Sequence, residues 1–351
     1  MKKLVTAAAL VITIFAGTVA VQAQETTVLT VDRAVHRAIN NSESIRRLAE
    51  NVVLEEISGR QLSQALMEST HESILLSTAI ARMTHEIAMA FSHTDRTTQI
   101  ALITQSVQQG FLAILNAEAR MEFMEREIAI ARQKHRFDRV RYEHGLLSVH
   151  DFNAAARAIT NLEIERESLQ TEINRAHRQL ASIVGGGRTA RFCVELELDF
   201  APFTSRPVED YVAITLAQNA DLRRALRQLE VTRFEYEHRS ARNDDDRTAR
   251  TIEFNRAQRN VMQIREDLES SLLDLYDQIR AQERSLTILR AGYEAMLAQY
   301  EINAAMLDME RITQLAFDEF ALGLDEMRHS ITSAEAGHTL MVQRLRNPNL
   351  S

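Results

Sequence analysis

Apolar residues recur at steps of three and four from position 100 to position 131, and this spacing predicts one long helix. The steps average close to 3.5 residues, which is typical of a coiled-coil seam rather than of the broad face of a globular helix. A second series with the same spacing runs back from Phe152 to Ile183, interrupted only by Arg166. The two series together predict a long antiparallel helical hairpin. The outgoing seam consists of Ile100, Ile103, Val107, Phe111, Ile114, Ala117, Met121, Met124, Ile128 and Ala131.

The turn between the two helices is predicted at residues 141–151. Gly145 is the only glycine in residues 111–184, and glycine adopts the positive φ that ends a helix without steric cost. Ser148 is placed to cap the returning helix. Asp151 then lies in the first turn of that helix, where the helix dipole favours an anion.

The second half of the chain repeats the first half at an offset of 177 residues. Val31 corresponds to Val208, and Ile45 corresponds to Leu222. In both copies a short helix, a polar break and a longer helix are predicted in the same order. A gapless match of this kind indicates an internal duplication.

The second repeat is predicted to contain its own polar break and its own helical hairpin. The break is placed at residues 243–248, as the counterpart of residues 94–97. The second tip is placed between Asn303 and Asp308, because the returning helix then matches the first in length and asparagine tolerates left-handed geometry. Gly323 is a rival position for this turn. The outgoing seam comprises Leu268, Leu272, Leu275, Ile279, Leu286, Leu289, Tyr293, Met296 and Tyr300.

Residues that disfavour helix, together with the apolar N-terminus, indicate where the domains begin and end. Two lysines, an apolar run and a small-residue cleavage site after Ala23 are typical of a secretory signal peptide, with an uncleaved anchor as the alternative. The three prolines lie outside the long helical tracts, and the linker segment 193–198 alternates as a short strand does. The predicted order is a signal peptide (1–23), a first helical repeat (24–184), a linker (185–207), a second helical repeat (208–346) and a tail (347–351).

Composition narrows the functional classes by exclusion. The formal net charge of −8 argues against nucleic acid as a partner. A lone cysteine, Cys193, excludes an internal disulfide and a cysteine-rich metal site. The eleven histidines are scattered and form no zinc motif such as His-Glu-x-x-His, so we expect them at the surface or hydrogen-bonded. No cofactor, metal or catalytic constellation is predicted, and we do not expect an enzyme.

The repeat and the first tip resemble the TolC-type outer-membrane efflux proteins over nearly the whole chain that follows the signal segment. In that family three copies assemble into a hollow helical tunnel across the periplasm, capped by a shared β-barrel in the outer membrane. The helical tips meet an adaptor protein of an inner-membrane pump or secretion system. The signal peptide and two-fold repeat contribute to the resemblance, and the motifs that carry it are Val31-Asp32-Arg33-Ala34-Val35…Ile39-Asn40-Asn41 and Arg141-Tyr142-x-x-Gly145-Leu146-x-Ser148-x-x-Asp151-Phe152.

The sequence departs from the family where the barrel strands would stand. The family carries two such strands per repeat, between the second helix and the long helix that leads to the tip. The corresponding segments, around residues 92–98 and 242–251, lack the stretch of about ten alternating residues that a membrane strand needs. Apolar residues within 66–91 fall at helical spacing. The sequence therefore predicts an all-α fold of long antiparallel coiled-coil hairpins in two tandem repeats, with β-barrel strands absent or vestigial.

Two classes of function follow from the resemblance. The first is a duct component of a tripartite efflux or type I secretion system, located in the periplasm or outer membrane. It implies a homotrimer that meets a periplasmic adaptor protein and an inner-membrane pump. The alternative is a non-transport periplasmic helical scaffold or adaptor derived from the same family. The expected partner contacts are Arg141, Tyr142, Gly145, Leu146, Ser148 and Asp151 at the first tip, and Asn303 and Asp308 at the second.

Overall fold

Long helices make up most of the chain in the computed structural model. The predicted signal peptide lies outside the described residues. Along the described chain, none of the helices combines the length and the apolarity needed to cross a membrane. The structure describes residues 28–68, 72–187, 189–196, 199–203, 206–239 and 243–350.

The helices occur in the same order in the two repeats, and the predicted all-α hairpin fold is confirmed. Each repeat has a short first helix, a second helix, a long helix that leads to a tip, and a helix that returns from the tip. The helices are α1 (Val31–Asn41), α2 (Glu43–Glu68), α3 (Glu72–Glu143), α4 (Val149–Val184), α5 (Val208–Gln218), α6 (Ala220–His238), α7 (Asp244–Asp308) and α8 (Gln314–Arg346).

Two three-residue strands join the start of the first repeat to the linker. Strand β1 (Val28–Thr30) pairs in parallel with β2 (Cys193–Glu195), and Leu29 lies opposite Val194 in the register. The second strand falls within the predicted alternating segment 193–198. The first strand was not predicted, because three residues are too few for alternation to be recognised.

Helix α3 is the element around which the other helices are arranged. Its 72 residues correspond to a length of about 110 Å. Near the tip α3 contacts α4 and α8, and towards its other end it contacts α2 and α6. Helix α7 in turn contacts α6 and α8. The six longer helices therefore form a wall one helix thick, with α7 at one edge and the end-to-end pair α2 and α4 at the other. The two short helices pack on this wall, α1 against α3 and α4 and α5 against α7.

The predicted coiled-coil seams supply the buried core of the wall. In the first repeat, Val107, Phe111 and Ile114 of α3 are completely buried and pack in one cluster with Leu180 of α4. The second repeat repeats this arrangement with its own cluster, which joins seam residues of α7 to the end of α8 and to the linker. That cluster consists of Phe203, Leu272, Leu275, Ile279, Val342 and Leu345.

The predicted polar break at residues 94–97 is wrong, because α3 continues through this segment without interruption. One of the polar residues there, Asp95, faces another helix. The carboxylate of Asp95 accepts a hydrogen bond from the Arg224 guanidinium of α6, so the polarity supports a contact between the repeats. The break predicted at residues 243–248 is placed too late in the chain, because α6 ends at His238 and α7 already begins at Asp244. Only Asn243 of the predicted range lies outside a helix, and it caps α7 by accepting from the backbone N–H of Asp246.

The offset between the repeats changes along the chain. Helices α1 and α5 begin and end 177 positions apart, and α2 and α6 begin at the same offset. Helix α2 has 26 residues against 19 in α6, and α3 has 72 against 65 in α7. The helices that return from the tips, α4 and α8, consequently begin only 165 positions apart.

His338 of α8 is an exception to the expectation that histidines lie at the surface or are hydrogen-bonded. It is completely buried, and within the described chain neither ring nitrogen makes a hydrogen bond. A carboxylate oxygen of Glu283 lies 3.6 Å from its Nε2, and the ring of Phe200 lies against it at 5.1 Å between centroids. Burial lowers the pKa of His338 and outweighs the opposing effect of Glu283, while the charge of Arg290 lowers it further.

We predict that replacing Phe111 with alanine destabilises the fold by about 3–5 kcal/mol, because it leaves a cavity in the seam of the first repeat. The free energy of unfolding is measured by chemical denaturation. Ser106→Ala, at an exposed position of the same helix, should change this free energy by less than about 0.5 kcal/mol. Equal effects of the two substitutions would contradict a core centred on this seam.

We predict that acid weakens the fold partly through His338. Since its folded-state pKa lies below the ordinary value of 6.5, the unfolded chain takes up a proton that the folded chain does not. The free energy of unfolding should therefore be highest above about pH 6.5 and should fall as the pH is lowered through the folded-state pKa. Urea midpoints at several pH values between 7.5 and 5 measure this loss.

The variant His338→Leu should show a smaller loss of stability over the same pH range, because it removes the titrating group. His144→Gln, at an exposed position in the first tip, serves as the control and should keep the wild-type dependence. An unchanged pH dependence in His338→Leu would assign the effect to other groups.

Candidate partner-binding tips

The first tip, residues 144–148, is a tight turn closed by backbone hydrogen bonds. The N–H of Gly145 donates to the carbonyl of Tyr142 at 2.9 Å, and the N–H of Leu146 donates to that of Arg141 at 2.7 Å. This pair of bonds is the Schellman arrangement that ends a helix. Gly145 has the positive φ of 72° that the arrangement needs, so the predicted position of the turn is confirmed.

The cap predicted for the returning helix is present. Ser148 precedes α4, and its Oγ accepts a hydrogen bond from the backbone N–H of Asp151 at 3.1 Å. The same Oγ donates to Oδ2 of Asp151 at 2.7 Å. The side chain of Asp151 is thereby held in the first turn of the helix, where the dipole stabilises its charge.

Aromatic stacking fixes the two helices immediately behind the first tip. The ring of Phe152 stacks on Tyr142 with centroids 5.0 Å apart and on His135 at 4.6 Å. Beyond this stack, Leu146 is 71% exposed and Val149 is 57% exposed. The tip therefore presents apolar side chains to solvent from a rigid turn.

The second tip lies at residues 309–313, and its predicted position between Asn303 and Asp308 is wrong. Asn303 lies inside α7, where its side-chain oxygen accepts from Gln299, and Asp308 is the last residue of α7. The rival position, Gly323, lies inside α8. The turn forms at Glu310, which adopts a φ of 57° although it is not glycine.

The second tip copies the hydrogen bonds of the first at an offset of 165 residues. The N–H of Glu310 donates to Leu307, and that of Arg311 donates to Met306, at 2.9 and 2.8 Å. Thr313 replaces Ser148 as the cap, and its Oγ1 accepts from the N–H of Ala316. Behind the turn, the ring of Phe317 lies 5.0 Å from that of Tyr300, as Phe152 lies against His135 in the first repeat.

The two tips differ in chemistry although their backbones match. Arg311 stands at the position of Leu146, and Gln314 stands at the position of Val149. Met309, 64% exposed, is the apolar side chain that the second turn presents. All six residues predicted for the first tip lie together at its turn, whereas the two predicted for the second belong to α7.

The second turn was not predicted because Glu310 takes the left-handed conformation there, whereas glycine and asparagine are the residues that usually mark it. Another signal was available in the sequence. The spacing from cap to aromatic residue is the same in Ser148–Phe152 and Thr313–Phe317, and these two pairs lie 165 positions apart.

We predict opposite effects of exchanging the residues with positive φ at the two turns. Gly145→Ala should destabilise the first hairpin by about 1 kcal/mol through backbone strain alone, because an added Cβ would meet no atom within 4 Å. Glu310→Gly should relieve strain and stabilise the second hairpin by up to about 1 kcal/mol, less the entropy that glycine adds to the unfolded chain. Thermal and chemical unfolding measure both changes, and a loss of stability in Glu310→Gly would contradict a strained second turn.

Comparison with known proteins supports the fold at the level of structure. No protein-family model and no curated protein matches the sequence. Among solved structures, the outer membrane protein VceC from Vibrio cholerae matches with a TM-score of 0.65 and 12% identity, over 92% of this chain and 97% of that chain. The CmeC outer membrane channel from Campylobacter jejuni matches with a TM-score of 0.60 and 9% identity, over 88% of this chain and 85% of that chain.

The MtrE outer membrane channel from Neisseria gonorrhoeae, solved in its open state, matches with a TM-score of 0.55 and 10% identity. That match covers 92% of this chain and 90% of that chain. The described chain therefore shares the fold of these outer membrane channels, in agreement with the helical-hairpin fold that the sequence predicted.

Proposed function

We propose that this protein is the duct component of a tripartite efflux or type I secretion system. In this proposal, three copies form a helical tube in the periplasm that leads to the outer membrane. The tube docks a periplasmic adaptor protein, which belongs to an inner-membrane pump, through its helical tips. The observation that carries the proposal is the one-helix-thick wall with two unpaired edges and two rigid turns at one end.

The wall favours a closed assembly because its edges expose large apolar side chains. Leu54 of α2 is 60% exposed at one edge, and Ile302 of α7 is 53% exposed at the other. Burial of apolar surface stabilises association in proportion to the area removed from water. A ring of identical copies covers both edges at once and leaves no unpaired edge, which is the usual outcome of heterologous contacts that close.

The first tip is suited to docking because it is ordered before a partner arrives. Schellman bonds, the Ser148 cap and the Phe152 stack hold the backbone in one conformation. Leu146 and Val149 then form an exposed apolar anchor on a preorganised surface, so little conformational entropy is lost on binding. Arg141, paired with Asp138 at 3.4 Å, and Asp151 supply the polar rim.

We predict that Leu146→Asp abolishes capture of the adaptor while leaving the fold intact. The substitution places a charge where the partner would bury an apolar side chain, and burial of an unpaired charge is costly. Circular dichroism checks the fold. A photoreactive residue at position 146 reports the partner in cells, and export or drug-resistance assays report the function.

Leu226→Asp is the matched control, since it makes the same change at a 44% exposed leucine of α6, in the half of the wall away from the tips. It should retain adaptor capture and export. If position 146 captures no adaptor and Leu146→Asp exports like the wild type, the tip is only a turn. A helical scaffold without a transport role would then be the better assignment.

A further inference from the structure

Because the two repeats are related by duplication, the contact between them within one chain indicates how two copies of the chain can meet. Within one chain, α3 of the first repeat lies against α8 of the second. Helix α7 corresponds to α3, and α4 corresponds to α8, both at the offset of 165 residues that aligns the two tips. Helices α7 and α4 lie at opposite edges of the wall, so a second copy is needed to bring the corresponding surfaces together.

Three side-chain contacts define the contact within the chain. The ring of Phe123 meets the ring of His329 edge-on, with centroids 5.7 Å apart. Arg126 donates to Oδ2 of Asp325 at 2.9 Å, and Lys134 forms an ion pair with Glu319.

The residues equivalent to Phe123 and His329 are two isoleucines. Phe123 corresponds to Ile288 of α7, and His329 corresponds to Ile164 of α4. Ile288 is 73% exposed and Ile164 is 60% exposed in the single chain. Two apolar side chains are thus left in solvent at the positions that make the central ring contact between the repeats.

The residues equivalent to the two ion pairs carry no charge. Arg126 and Asp325 correspond to Ala291 and Thr160, and Lys134 and Glu319 correspond to Gln299 and Ala154. The α7 and α4 surfaces can therefore meet without burying an unpaired charge at these positions, which would oppose association. On α7 the exposed apolar residues also follow seam spacing, as in Ile288, Ala291, Ala295, Ala298 and Ile302.

We propose that Ile288 of one copy packs against Ile164 of a second copy, so that the α7–α4 contact between copies repeats the α3–α8 contact within the chain. The inference rests on the proposed function, because it names the residues that close the ring. The four uncharged residues Ala291, Thr160, Gln299 and Ala154 stand where the contact within a chain has two ion pairs, so the α7 and α4 surfaces lack the charged partners that α3 and α8 require at these positions.

The test uses cysteines placed at both positions of the full mature chain. Ile164→Cys and Ile288→Cys are combined in a Cys193→Ser background, because Cys193 is the only native cysteine. Mild oxidation should give covalent dimers and trimers on a non-reducing gel. The matched control combines Ile164→Cys with Glu294→Cys. Position 294 lies on another face of α7, so this pair should give no covalent dimers or trimers.

Sedimentation of the same protein before oxidation separates this inference from the proposed function. A trimer whose subunits crosslink through positions 164 and 288, but not through 164 and 294, supports the inference. A trimer that shows no preference for position 288 overturns the interface and leaves the duct intact. A stable monomer at micromolar concentration overturns both. Ile288→Asp should in addition convert the trimer to folded monomers, and an unaffected trimer would count against the contact.

Discussion

The structure depends on one constraint, which is that the long helices form a wall one helix thick and bury apolar side chains mainly at the seams between neighbours. A globular helix buries a broad face in a common core, whereas α3 buries narrow stripes against the helices beside it. Val107, Phe111 and Ile114 supply such a stripe against α4. Every helix therefore requires a neighbour along its length, and the helices at the edges of the wall remain incompletely covered.

The seams and the first turn were predictable because each arises from local chemistry. Spacings near 3.5 residues specify which side of a helix is buried, and the run from Gly145 to Ser148 contains both the residue that ends one helix and the residue that caps the next. These features gave the fold class and the first tip. The position of the second tip could not be predicted in this way, because Glu310 takes a left-handed conformation that its residue type disfavours.

Contacts between distant parts of the chain account for the other differences. The polar residues around Asp95 resemble a helix break in the sequence, but Asp95 lies within a helix and pairs with Arg224 of the second repeat. His338 is buried by an arrangement of α8, α7 and the linker that its own neighbours in sequence do not indicate. In each case a residue's environment was set by a partner more than 90 positions away or by the packing of separate elements, and periodicity contains no information about either.

The difference in length between the repeats has a consequence for the end of the wall opposite the tips. Both α2 and α3 exceed their counterparts by seven residues, which is one heptad on each arm, so the phase of the seam is unchanged. When the two tips are aligned, the end of α3 away from the tip extends about 10 Å beyond the corresponding end of α7. A ring of three copies would consequently end in a rim of alternating high and low segments. Such a rim has three-fold symmetry even where the wall below it approaches six-fold symmetry.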